Sequence, residues 1–109
     1  MGRLPRAIEA ELFRIAMEAL NNLVRYARAR TVTVELLSKG GWVFLQIGDN
    51  GVGFDLEKAR LSGGMGLHSM EQRARQLGGR LEISSLTGAG TLIRAEVPAH
   101  ELLEQAAAV

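Results

Sequence analysis

The chain has 109 residues and a formal net charge of +1, which suits one domain around a single hydrophobic core. That charge gives no electrostatic case for nucleic acid or an acidic membrane surface. The absence of cysteine excludes a disulfide framework, a thiolate metal site and a cysteine nucleophile, and no apolar run approaches the ~20 residues that cross a bilayer.

In chain order, Pro5 suits a first helical turn, where its missing N–H costs nothing. Ile8, Leu12, Ile15, Ala16, Ala19, Leu20, Leu23 and Ala27 then recur at three- and four-residue spacing, which predicts a long amphipathic helix to about Ala29. Val32, Val34 and Leu36 alternate with Thr31, Thr33 and Glu35, a half-buried strand. Lys39-Gly40-Gly41 is a turn into a second strand, Trp42 to Ile47. Asp55 to Met65 reads as a loop with a helical turn at Leu56–Leu61. A second helix runs from Gly66 to Leu77, with Leu67, Met70, Ala74 and Leu77 on one face and Gly78-Gly79 as its stop. Strands at Leu81–Ser85 and Thr91–Val97 are joined by a tight turn over Thr87–Gly90, and Pro98 ends the last of them. The tail from Glu101 to Val109 is Ala-rich and helix-compatible. One sheet with helices layered on one face is the economical arrangement.

The chemistry concentrates in four segments. Asp49-Asn-Gly-Val-Gly-Phe54 places an acid and two glycines, Gly51 and Gly53, at a strand end. Such a carboxylate accepts a hydrogen bond from an exocyclic amine, and the glycines let backbone approach a flat ligand. A turn-capping Asp before Asn-Gly is the ordinary explanation. On a wheel of about 100° per residue, Arg14, Glu18, Asn22 and Arg25 fall within roughly 80° beside the apolar face. The ordinary explanation there is a solvated polar stripe with i,i+4 pairs. Gly63-Gly64-Met65-Gly66 leads into a helix, where free backbone amides suit phosphate. A dinucleotide fingerprint fails because Ser69 stands in place of its third glycine, and no Walker A lysine follows. Gly88-Ala-Gly90-Thr91 is equally compatible with a plain hairpin turn. His100-Glu-Leu-Leu-Glu104 lacks the second histidine of a zinc-protease helix, and His68 reads as a surface residue.

Taken in order, Glu18-Ala-Leu-Asn-Asn22, Asp49 to Phe54, Gly64-Met-Gly66-Leu67 and Gly88-x-Gly-Thr91 resemble the boxes of the ATP-binding domains of histidine kinases, gyrase B and heat-shock chaperone ATPases. Leu4-Pro5, Glu11 to Asn22 and Gly66 to Arg73 look like the catalytic domain of nitrate-sensor-type two-component histidine kinases. The resemblance covers about Leu4 to Pro98 of one domain spanning 1–109. It implies a two-layer α/β sandwich with a mixed β-sheet and helices on one face, binding ATP with Mg²⁺. By resemblance Asn22 is the metal ligand and Glu18 the acid that polarises the attacking group or a metal-bound water. Arg25 meets a phosphate oxygen, Asp49 reads adenine, and Thr91 faces the adenine pocket. Gly51, Gly53, Gly64, Gly66 and Leu67 complete the nucleotide site. Tyr26 stands where this family usually has His, which implies altered surroundings rather than lost binding.

The resemblance further implies transfer of the γ-phosphoryl group to a histidine on an upstream dimerisation helix, and from there to a response regulator. An opening Met-Gly-Arg before Leu4-Pro5 suggests a piece of a longer, cytoplasmic or membrane-anchored kinase, with little turnover when its phosphoacceptor domain is missing. Two other readings remain open: a stand-alone nucleotide-binding interaction module, and an anti-sigma-factor serine kinase.

Overall fold

The computed structural model describes residues 4–85 and 88–99, apart from the side chain of Ala27. The predicted tail helix, His100 and the Thr87 end of the last turn lie outside the described residues. Helix α1 spans Arg6–Asn22, with Pro5 extended just before it and the Glu9 amide donating to the Pro5 carbonyl at 3.0 Å. Its buried face carries Ile8, Leu12, Ile15 and Ala19, as the spacing predicts. The predicted continuation to Ala29 takes a different form. Leu23–Ala27 is a π-helical turn, and Arg28, at φ 49°, ends it in the left-handed region. Such turns widen a helix locally and favour functional sites.

Strands β1 (Val32–Lys39) and β2 (Trp42–Asp49) form the predicted hairpin, and β3 (Arg80–Ser85) and β4 (Thr91–Pro98) close a four-stranded sheet in the order β1-β2-β4-β3. Between β2 and β3 run α2 (Leu56–Ser62) and α3 (Leu67–Gln76). The Asp55 side chain caps α2 by accepting from the Lys58 amide.

The expected mixed sheet is corrected: every pairing among the described strands is antiparallel. The crossover through α2 and α3 returns β3 parallel to β2, but β4 inserts between them, so no parallel neighbours meet. Helix α1 packs on β2, and α3 on β3 and β4, all from one side. Val43, Leu45 and Ile47 of β2 and Ile93, Ala95 and Val97 of β4 are buried beneath them together with Met70 and Ala74. A second expectation fails at β1, which is exposed along its whole length. Val32, Val34 and Leu36 do alternate toward the helix side, yet no described element covers them.

Gly79 joins α3 to β3. Its amide donates to the Ala74 carbonyl at 2.9 Å, and a Cβ on it would strike the backbone of Glu96 and Val97. Because backbone cannot rotate aside, Gly79→Ala should cost about 1–3 kcal/mol. Thermal unfolding should show it as a fall in Tm of roughly 4–8 °C per kcal/mol; an unchanged Tm would mean that β3 and β4 yield freely here.

Candidate functional site

The strand register sets the floor of the site. Val32, Asp49, Thr91 and Ser85 form one row across the sheet, on the side that carries the buried Ile47 and Ile93. After Asp49 the chain turns, and Asp49 Oδ1 accepts from the Gly51 amide at 2.7 Å. Its other oxygen, Oδ2, is buried without a hydrogen-bond partner among the described residues. Buried carboxylate oxygens are rarely left so, because the lost hydration goes unrepaid.

Beside it, Thr91 is buried and shares a 2.8 Å hydrogen bond with Ser85 Oγ, which also accepts from the Phe54 amide at 2.8 Å. Gly90, at φ 81°, presses on the Asp49 carbonyl where a Cβ would not fit. The Gly88 amide donates to the Val52 carbonyl at 2.5 Å. The turn before β4 is thereby fastened to the Gly51–Gly53 segment. Asn50 plays a different part, its Oδ1 accepting from the amides of Arg30 and Thr31, both at 3.0 Å. It fixes the entry to β1.

The opposite wall comes from α1 and the α2–α3 loop. Asn22, the last residue of α1, is buried, and its Nδ2 donates to the Met65 carbonyl. That bond orients the amide and leaves Oδ1 without a protein partner among the described residues. One turn earlier, the Glu18 side chain lies against the Cα of Gly66, which at φ 62° has no Cβ to obstruct it. Gly66 precedes α3, whose start has no side-chain cap; the Met70 amide is the first to find a helical carbonyl, that of Gly66, at 3.0 Å. The amides before it are left for an anion or water.

Asn22, Leu23, Tyr26, Phe54, Met65 and Leu67 enclose a cleft floored by Thr91 and Ile93, with about 10 Å³ of free space. That holds no more than a single water, so admitting any part of a ligand requires Phe54 or Met65 to move. Met65 is suited to this. It is a flexible side chain on a left-handed residue, φ 66°, between Gly64 and Gly66.

A far larger depression, about 550 Å³, opens at the end of the sheet, lined by Thr33, Gly48, Leu92 and Ser84 of the face away from the helices and also by Asp49, Ser85, Gly90 and Thr91. It reaches Asp49 and Thr91 but touches none of the side chains of the helix wall, whereas Asn22 and Glu18 lie with the α2–α3 loop on the helix side.

Of the residues singled out in the sequence, Asn22, Leu67 and Thr91 line one cleft. Asp49 is paired with Thr91, and Glu18 touches Gly66. Gly51 and Gly53 shape the turn after Asp49, and Gly64 lies in the loop before α3. Arg25 is exposed on the π-helical turn, and Arg14 points away to pair with Glu11 at 3.9 Å. Sequence reasoning missed Ser85, Leu23 and Met65. Ser85 was findable as the strand-end hydroxyl facing Thr91, whereas Leu23 read only as helix core and Met65 only as a member of the glycine-rich loop.

Residues 7–101 match the family described as histidine kinase-, DNA gyrase B-, and HSP90-like ATPases, and the chain belongs to that family. It is 38% identical over 99 residues to the sensor protein VraS of Staphylococcus aureus, covering 91% of this chain and 28% of that protein. It is 41% identical over 95 residues to the sensor histidine kinase LiaS of Bacillus subtilis, covering 87% and 26%. The chain thus spans little more than a quarter of these relatives. Its fold superposes with a TM-score of 0.76 on the histidine kinase domain of a blue-light activated histidine kinase from Erythrobacter litoralis, at 19% identity over 89% of this chain and 47% of that one. For the ATP-binding domain of PrrB from Mycobacterium tuberculosis the TM-score is 0.69, at 24% identity, over 83% and 68%.

Proposed function

We propose that this chain is the ATP-binding catalytic domain of a two-component sensor histidine kinase of the nitrate-sensor type. The observation that carries the reading is Asp49 Oδ2, a buried acceptor with no partner among the described residues, in a family of ATPases. The amino group of adenine donates there, whereas guanine presents a carbonyl oxygen at the same place and sets two acceptors face to face. Thr91 and the Gly51–Gly53 turn frame the ring. The free amides at the start of α3 and the Arg25 guanidinium take phosphate oxygens.

The residues present fit Mg²⁺. Asn22 Oδ1 is a hard oxygen without a protein partner among the described residues, and the Glu18 carboxylate is one turn away, which suits a cation that takes few protein ligands and completes its shell with phosphate and water. When bound, the ion neutralises charge on the phosphates. The chain's own part is positional: Asn22 and Gly66 fix the phosphate end, Asp49 fixes the base, and Glu18 faces the attacking group.

In the reaction, an imidazole nitrogen bonds to the γ-phosphorus as the bond to the bridging oxygen breaks and ADP leaves. The imidazole belongs to an upstream helical dimerisation domain, and a response regulator receives the group afterwards, on the cytoplasmic side. Because transfer depends on in-line positioning, the chain alone should bind nucleotide with little turnover.

The test is to mix the chain with the parent's helical domain and ATP labelled at the γ-phosphate. Acid-labile label on a histidine of the helical domain is expected. Acid-stable label on serine, or ATP binding with no transfer at all, would contradict the proposal.

A further inference from the structure

Helices α1 and α3 meet along one seam. At its site end the Glu18 side chain lies against Gly66. Seven residues back along α1, and seven on along the chain of α3, Arg73 Nη1 donates to Glu11 Oε2 at 3.0 Å. The order of these contacts makes the helices antiparallel. Seven residues are two turns, about 10.5 Å of rise, so both contacts fall on the same face of each helix. Among the described residues, Arg73 to Glu11 is the only hydrogen bond between α1 and α3. Asn22 aside, the side chains that these two helices bury are apolar: Ile8, Leu12, Ile15 and Ala19 on one, Leu67, Met70 and Ala74 on the other. Apolar burial is non-directional. It holds the helices together without fixing where one lies along the axis of the other, and the ion pair does fix it.

At the site end that register matters to within one residue. A Cβ on Gly66 would fall on the Glu18 carboxylate, and the neighbours Met65 and Leu67 each carry one. A slip of about 1.5 Å, one residue of helix rise, would set Glu18 against a side chain. The same slip would move the free amides at the start of α3 relative to Asn22. As a stabiliser the pair is weak, because Glu11 and Arg73 are 22% and 31% exposed and ion pairs in contact with water contribute little. Glu11 Oε1 also faces Arg14 Nη1 at 3.9 Å, so its carboxylate is held between two guanidiniums. We propose that Glu11 and Arg73 are positioning residues for phosphoryl transfer, which rests on the kinase function proposed for the chain. They set the α1–α3 register that aligns Glu18 and Asn22 with the amides before α3. Both lie two turns from the site and act only through the residues there. Misalignment of about 1 Å can slow such a reaction on the order of 10²-fold. The adenine contacts, Asp49 on β2 and Thr91 on β4, lie outside the seam.

Transfer from γ-labelled ATP to the parent's helical domain tests this, with the native 109-residue chain beside Glu11→Lys, Arg73→Glu and the double variant carrying both. Each single substitution sets like charges together and should slow transfer at saturating ATP roughly tenfold or more. The double variant restores an opposite pair and should recover to within about threefold of the native rate. Adenosine affinity without magnesium should stay within about twofold in all three, since the base contacts are independent of the seam. That readout separates positioning from a folding defect, which would lower adenosine affinity and transfer together. Single variants that transfer at the native rate would overturn the inference. So would a double variant no faster than either single one, or adenosine affinity that falls in step with transfer. A native chain that transfers no label would remove the kinase reading itself, and this inference with it.

Discussion

Replacing Asp49 by asparagine should weaken ATP binding by about 1–3 kcal/mol, a roughly 5- to 150-fold rise in Kd. The carboxylate keeps one oxygen on the Gly51 amide at 2.7 Å and holds the other buried and free. An amide cannot do both. With its oxygen toward Gly51 it presents an NH₂ to adenine's own donor, and flipped it sets that NH₂ against the Gly51 N–H. Folding should survive, because one of the two orientations always preserves the turn. Calorimetric titration of the variant with ATP checks this; an unchanged Kd would mean that Oδ2 does not meet the base.

Asn22→Ala should act on the other end of the nucleotide. Loss of Oδ1 removes the proposed metal oxygen, and phosphoryl transfer to the helical domain should fall on the order of 10²-fold or more, as when one charge-stabilising group is deleted from an active site. Adenosine binding without magnesium should hold, since Asp49 and Thr91 are untouched. The same substitution strips the Met65 carbonyl of its donor, so some stability is lost as well, about 1–3 kcal/mol if no water replaces it. Measuring transfer and unfolding on the same variant separates the two effects. Full transfer activity would remove Asn22 from the phosphate site.

The buried strands were legible because both the pattern and its cover lie in the chain. Val43, Leu45 and Ile47 alternate, and the helix-spaced residues of α1 and α3 lie over them. Strand β1 shows the limit: Val32, Val34 and Leu36 alternate just as well, but alternation says which residues share a face and not whether anything covers it. The sheet's direction was hidden for a topological reason, the insertion of β4 between β2 and β3.

At the site, the acid at a strand end and the glycines before α3 were visible as residue types at a spacing. The division of labour between Asp49 and Asn50 was not. Both are turn formers, and only the fold shows Asn50 bound to the amides of Arg30 and Thr31 while Asp49 keeps a free oxygen. Nor could periodicity reveal the π-helical turn after Asn22, or Met65 and Phe54 closing the cleft.

The central claim, that Asp49 reads adenine, is tested most directly by calorimetry of the purified chain with magnesium-ATP and, separately, magnesium-GTP. Saturable binding of ATP, with GTP weaker by about tenfold or more for the buried acceptor left facing a carbonyl, is the predicted result. GTP binding as tightly as ATP, or GTP binding where ATP does not, would contradict it.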